Sequence, residues 1–336
     1  MPRIEIGLAT YNSAKFLRAQ LDSLFSQTCQ DFDLLVADDG SSDATLAILA
    51  EYKARFPHRI RLLAFDTPAG GACANFARIT DAFTADYAMY CDHDDVWLPD
   101  KIEVSLASMR EIERQHGDVC ALVHSDVAVC DGDLNVVANS VWEFANRSPE
   151  RSELEQQLLT NVAIGCTMLM NRALYRAARP IPHDAAMHDH WVSLVGAAFG
   201  VLAAIDRPTV LYRRHGDNAT SLRSWSLLSS VVRFAKIVSG RHLWPMRDLI
   251  GQARAFQRAY GDRASKWRDS ISALADIENR PRYARFAGLA AHGVLLQGAQ
   301  RNIGLFLATF MLPKRHHIET GDGRALQPSS SSSGPS

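Results

Sequence analysis

A chain of 336 residues exceeds the usual size of one domain, and 47% hydrophobic with 22% charged residues are globular proportions, which excludes a disordered or fibrous chain. The formal net charge is −1, and no nucleic-acid partner is expected. That charge is uneven: a basic C-terminal third suits an anionic membrane surface or is a solvated helical face, while the acidic remainder suits a divalent cation.

In chain order, Ile4 to Ala9 reads as a short buried strand, followed by Thr10-Tyr11-Asn12-Ser13 and a helix with apolar positions Leu17, Leu21, Leu24 and Phe25. The alternation continues: strand Asp33 to Ala37, helix Ala44 to Phe56, strand Arg61 to Phe65, helix Ala72 to Phe83, strand Tyr87 to Cys91, and a helix from about Pro99. Strands separated by such helices imply a parallel sheet with crossovers. Beyond Pro99 the order is mixed, with strands at Ala121 to Val129, Cys166 to Met170 and Thr209 to Arg213, and a helix from about His188. From Ser224 to about Leu312 the pattern is helical, and the serine-rich stretch from Gln327 reads as a flexible tail. The resulting division is 1–220, a helical region 221–318, and a tail 319–336.

No basic leader with a long apolar stretch is read at the N-terminus, so a cytoplasmic protein is expected, with peripheral contact at the inner face of the cell membrane as an option. The apolar run Ile303 to Leu312 is too short to span a bilayer, although it can lie on one. The six cysteines show no C-x-x-C pair and read as reduced core residues.

In parallel sheets, ligands sit beyond the C-terminal strand ends. Here Thr10-Tyr11-Asn12 follows the first strand, Asp38-Asp39-Gly40-Ser41-Ser42-Asp43 the second and Asp92-His93-Asp94-Asp95 the fourth. Neither G-x-G-x-x-G nor G-x-x-x-x-G-K-[ST] occurs after the first strand, which argues against a dinucleotide oxidoreductase and a P-loop enzyme. Clustered carboxylates repel one another and lose hydration when buried, and a bound Mg²⁺ or Mn²⁺ resolves both costs. The plainer alternative is that these aspartates cap helices and turns.

The segments Ala9-Thr10-Tyr11-Asn12, Val36 to Asp43 and Cys91-Asp92-His93-Asp94-Asp95-Val96-Trp97-Leu98-Pro99-Asp100-Lys101 closely resemble the signature segments of family 2 glycosyltransferases, inverting enzymes with a GT-A fold. The match covers about residues 3–220 and is nearest to bacterial rhamnosyltransferase-like enzymes of surface-polysaccharide assembly. The resemblance implies an α/β, GT-A fold with a mixed central sheet plus a C-terminal helical extension. It further implies a dTDP- or UDP-linked sugar donor, a saccharide or lipid-linked acceptor, and Mg²⁺ or Mn²⁺. Thr10, Tyr11 and Asn12 would line the nucleotide pocket, and Asp39 would contact the base or ribose. Asp92 would bind the ribose or the metal shell, and Asp94 would hold the metal.

Downstream, Met187-His188-Asp189-His190-Trp191 resembles the segment carrying the family's catalytic base, with Asp189 the matching carboxylate. Structurally, Asp189 could instead complement a helix dipole. Leu211-Tyr212-Arg213-Arg214-His215-Gly216-Asp217-Asn218 resembles the segment closing over the diphosphate, where His215 would complete the metal site and Arg213 or Arg214 would neutralise phosphate. For the acceptor side the candidates are Asp126, as ligand or turn residue, Gly165, which would let backbone approach the sugar, and Trp191, which with Trp97 and Trp142 stacks on sugar or fills core. A polyprenyl phosphate acceptor would need no base, so Asp189 argues against it. Joint retention of Asp94, Asp189 and His215 argues against a non-catalytic binding module.

Overall fold

The computed structural model describes residues 3–216 and 244–313. Strand Ile4–Thr10 (β1) shows how the sheet divides the core: Ile4, Ile6 and Leu8 enter one side with Leu17, Leu21 and Leu24 of helix Leu17–Phe25 (α1), whereas Ala9 enters the other. Each such Ile or Leu, fully removed from water, contributes about 1.5–3 kcal/mol. Between them, Gly7 has a packing role: a Cβ there would lie 2.2 Å from Ile79 and 2.9 Å from Phe83. The glycine therefore lets helix Ala72–Ala82 (α3) settle directly on the sheet.

β1 pairs in parallel with Phe32–Asp38 (β2) and Tyr87–Cys91 (β4), and Ile60–Leu63 (β3) extends the edge beyond β2. Helices α1, Thr45–Arg55 (α2) and α3 make the crossovers. On the far side of β4, Leu169–Asn171 (β8) runs antiparallel to both β4 and Cys120–Cys130 (β6). β6 pairs in parallel with the long strand Gly200–Arg213 (β9), and the two-residue Val96–Trp97 (β5) closes the order β3-β2-β1-β4-β8-β6-β9-β5. Val136–Ala138 (β7) pairs with β6 off this path. Lys101–His116 (α4) packs Ile102, Leu106, Met109 and Ile112 on the α1 side.

Three expectations shift. The strand expected at Cys166 to Met170 starts at Leu169, because Gly165–Thr167 forms a 3₁₀ turn whose Thr167 hydroxyl donates to the Ile164 carbonyl at 2.7 Å. β9 starts at Gly200 rather than Thr209: the polar stretch Asp206-Arg207-Pro208 looks unlike a strand, yet β6 supplies a partner along its length, with a register shift at Asp126. The third strand, expected at Arg61 to Phe65, ends at Leu63.

Past the short helices Val141–Phe144 (α5), Leu154–Gln157 (α6) and Arg172–Ala177 (α7), helix His188–Phe199 (α8) covers the other face, and the C-terminal helices Trp244–Tyr260 (α9), Arg268–Ala275 (α10), Arg282–Ala291 (α11) and Ala299–Met311 (α12) join the same core. Met246, Ile250, Phe256 and Tyr260 of α9 share that core with Trp191, Leu194 and Val195 of α8. The start of the extension at 221, residues Asp217 and Asn218, and the tail at 319–336 lie outside the described residues. Among the described residues no helix is long and apolar enough to cross a membrane.

Candidate active site

In register, Thr10 stands beside Asp38 and Leu8 beside Cys91, so the segments after β1, β2 and β4 emerge at one edge of the sheet. The first two are stitched together. The Thr10 hydroxyl donates to Asp38 at 2.8 Å, the Asn12 backbone N–H donates to the Ser41 hydroxyl at 2.8 Å, and the Ser42 N–H returns to the Asn12 side-chain oxygen at 2.9 Å. Asn12 takes φ 46°, the left-handed region that asparagine tolerates better than most residues. Tyr11, held between these anchors, is 58% exposed and presents an open ring at the mouth.

The acidic loop is fixed by a pairing that the sequence did not reveal. β5 lies antiparallel to β9, with Val96 opposite Leu211, and this carries Asp94 and Asp95 onto the segment after β9. The Arg213 N–H donates to Asp95 at 3.0 Å, the Arg213 guanidinium donates to the Asp94 and Gly132 carbonyls at 2.8 and 2.6 Å, and His215 Nε2 meets Asp94 Oδ2 at 2.7 Å. Phe16 packs under both, 4.5 Å from the Arg213 guanidinium and 4.8 Å from the His215 ring.

Asp92, Asp94 and Asp95 repel one another in this enclosure. Burial first, then Asp95 and Asp94, raises the Asp92 carboxyl well above its usual range; burial and then Asp94 raise Asp95. Among the described residues, one atom each of Asp92, Asp95 and Cys166 lies within 4.8 Å of the others, and the second Asp95 oxygen is buried without a hydrogen-bond partner. The donor set fits a hard divalent cation through its carboxylates. Cys166 does not: burial and the neighbouring aspartates keep its thiol protonated.

Asp189 reaches the same enclosure from the first turn of α8 and adds to the repulsion on Asp92. Its Oδ2 accepts from the Gly165 N–H at 3.0 Å and its Oδ1 from the His190 N–H at 2.6 Å. Burial outweighs both bonds and pushes its carboxyl up to about 6, with Arg147 pulling the other way. Burial first, and then Asp189, raises the Cys73 thiol, which places the start of α3 against this pocket.

Several expected residues stand elsewhere. Trp191 is 1% exposed, with its indole N–H donating to the Ala178 carbonyl at 2.9 Å and its ring against Phe256 and Tyr260; no face remains for a sugar. Trp97 and Trp142 are also buried. Asp126 is buried and accepts from the Ser140 hydroxyl and the N–H groups of Val127 and Val141, so it holds Ser140, the N-cap of Val141–Phe144 (α5), rather than meeting an acceptor. Arg213, buried and spent on carbonyls, is a strut for the acidic loop, whereas Arg214 is exposed. Thr10 is buried on Asp38, and Asp39 accepts from the N–H groups of Ala69, Gly70 and Gly71, so it shapes the approach to α3. Sequence reading passed over His188, Arg147 and Phe16; for His188 the available signal was its place next to Asp189.

A sheet edge of parallel strands that gathers carboxylates is a place suited to a divalent cation and an anionic ligand. The chain belongs to Glycosyl transferase family 2, whose sequence model matches residues 5–178. The dTDP-rhamnosyl transferase RfbG of Shigella flexneri is 22% identical over 259 residues, 74% of this chain and 84% of that protein. The Escherichia coli UDP-Glc:alpha-D-GlcNAc-diphosphoundecaprenol beta-1,3-glucosyltransferase WfgD is 26% identical over 174 residues, 51% of this chain and 61% of its own length. The fold is shared with S. aureus TarS in complex with UDP-GlcNAc, at a TM-score of 0.52 and 16% identity, covering 92% of this chain and 90% of that one. The protein is thus a glycosyltransferase with the GT-A fold expected from its motifs.

Proposed function

We propose that this chain is an inverting, metal-dependent transferase that moves a sugar from a dTDP- or UDP-linked donor to a hydroxyl of a saccharide or lipid-linked saccharide. The observation that carries this reading is the convergence of Asp189, a carboxylate tuned to about 6, with the Asp92, Asp94 and Asp95 cluster at one sheet edge. Rhamnose is the sugar that the RfbG name supports, and a lipid-linked acceptor in bacterial polysaccharide synthesis is what the WfgD name supports.

Asp94 and Asp92, with His215 beside Asp94, would hold Mg²⁺ or Mn²⁺, which when bound offsets charge on the diphosphate leaving group. Tyr11 offers its ring to the base, and Arg214, the exposed arginine of the pair, suits the phosphates. Asp189 takes the proton from the acceptor hydroxyl as that oxygen attacks the anomeric carbon opposite the diphosphate, so one in-line displacement inverts the centre. In this scheme residues 1–220 carry the chemistry, 221–318 form the helical region, and 319–336 the tail. A panel of nucleotide sugars with Mn²⁺, read by thermal shift, is expected to raise Tm most for one dTDP- or UDP-linked sugar; no shift with any of them rejects the reading.

The helical region supports peripheral attachment at the inner membrane face of a cytoplasmic enzyme. Ile303, Phe306 and Phe310 of α12 and Tyr283 of α11 are all exposed, with Arg282 next to them. Flotation with anionic liposomes at low salt is expected to carry the protein upward, and Phe306→Ser with Phe310→Ser to abolish it. Wild-type protein left at the bottom of the gradient rejects attachment.

A further inference from the structure

The C-terminal helical region has no part in the chemistry assigned so far, yet it holds a loop that leads to the base. Ala145 to Arg151, between α5 and α6, form no helix or strand, and they take polar partners that lie 144 to 156 positions further along the chain. The Arg301 guanidinium of α12 donates to the Ala145 carbonyl at 2.6 Å, the Ser148 N–H donates to the Gln297 side-chain oxygen at 2.9 Å, and the Arg151 guanidinium donates to the Leu295 carbonyl. Asn302 of α12 fixes this connector in turn, accepting from the Leu296 N–H at 3.0 Å and donating to the Leu296 and Gly298 carbonyls at 2.8 and 2.9 Å. The loop thus takes its place from the helical region.

Two routes run from the loop to the start of α8. On the first, the Arg151 carbonyl accepts from Gln157 Nε2 at 2.6 Å, the Gln157 carbonyl meets His190 Nε2 at 2.5 Å, and the His190 N–H reaches Asp189 Oδ1 at 2.6 Å. Gln157 is fully buried and His190 is 6% exposed, so water does not readily replace either bond. Burial pushes the imidazole down to about 4, which leaves it neutral, with its Nε2 proton on that carbonyl. On the second route, Arg147 Nη1 donates to the Asn161 carbonyl at 3.5 Å, and Asn161 Oδ1 accepts at 2.8 Å from the hydroxyl of Ser193, one turn beyond Asp189.

We propose that the helical region positions the base, with Arg151 as the positioning residue that carries the placement of residues 295–301 to Asp189. This rests on the reading of Asp189 as the base. Arg151 faces both bodies: its side chain binds the Leu295 carbonyl, and its own carbonyl binds Gln157. A base works only with its oxygen in line with the departing proton, and a displacement near 1 Å costs about 100-fold in rate. The donor-side segments after β1, β2 and β4 are held by their own bonds and by the segment after β9. Loosening the loop therefore falls on transfer and spares donor binding.

The test uses the full chain, the nucleotide sugar that raises Tm most, and methyl glycosides of rhamnose, glucose, galactose and N-acetylglucosamine as acceptors. Arg151→Met keeps the stem and removes the donor to Leu295. Its kcat should fall about 10- to 100-fold, with donor affinity and acceptor KM within about twofold of wild type, and Arg151→Lys, which can still donate to that carbonyl, should recover part of the loss. In ¹⁵N-histidine spectra without substrate, the His190 ring resonances should move in Arg151→Met although Gln157 stands between the two residues; a purely local role for Arg151 would leave them in place. Gln297→Ala, which releases only the Ser148 N–H, carries the same spectral test should Arg151→Met fail to fold. A kcat within twofold of wild type in folded Arg151→Met, no recovery with lysine, or unmoved His190 resonances overturns the proposal. If Asp189→Asn proves active while the His190 resonances respond, the reading of the base fails and the relay to α8 stands.

Discussion

Asp189→Asn is expected to lower the transfer rate by about 10²–10⁴-fold, the range over which a positioned general base acts, while donor affinity measured by calorimetry stays near that of the wild type. Asparagine keeps one oxygen, which can accept from the Gly165 or the His190 N–H but not from both, so one of the two bonds is lost together with the proton acceptor while the size and shape of the side chain are kept. The pH profile provides a second readout. With the carboxyl pushed up to about 6, the base is protonated and idle below that value, so kcat/KM should fall about tenfold per unit as pH drops under 6. The stability sign is opposite to that of a salt-bridged aspartate. A folded pKa above the unfolded one means that the ionised form opposes folding at pH 7, and that this opposition fades as pH falls through 6 towards the unfolded value. Asp189→Asn should therefore match or exceed wild-type Tm at pH 7 and lose that advantage near pH 4. A variant that keeps near-normal turnover removes Asp189 from the reaction, whatever its Tm does.

The half of the molecule legible in the sequence is the half governed by local rules. β1, β2 and β4 could be read because continuous apolar runs alternate with helical periods, and the acidic segments stood out because they follow those runs. β5 could not be read, since two residues have no period; it exists because β9 offers it a partner, and that pairing brings Asp94 to His215. The arginines misled for a related reason. Arg213 and Arg214 are equivalent as letters, but Arg213, the last residue of β9, is buried on the carbonyls of Asp94 and Gly132, and Arg214, just past the strand end, is exposed. Trp191 and Asp126 show the same limit: residue type marks what a side chain can bind, and only tertiary packing decides whether anything can reach it.

Asp94→Ala should separate the cation-holding role of the cluster from a capping role. Without divalent ions the wild type carries Asp92, Asp94, Asp95 and Asp189 in one enclosure, with Asp94 among the charges that lift Asp92 and Asp95. Removing it relieves that repulsion, which offsets the lost bond to His215, so Tm in chelator should change little. With Mn²⁺ and the preferred nucleotide sugar the outcome should reverse: wild type gains stability by binding, and the variant, short of one hard oxygen ligand, should lose about 10- to 100-fold in metal-dependent donor affinity. The crossed pattern is diagnostic because a capping aspartate behaves otherwise. Loss of a cap costs about 1 kcal/mol of stability in chelator and in Mn²⁺ alike and leaves ligand affinity untouched. Equal donor affinity for wild type and variant across a Mn²⁺ titration would remove Asp94 from the metal site. It would shift the cation, if one binds, towards the Asp92 and Asp95 oxygens that lie together beside Cys166.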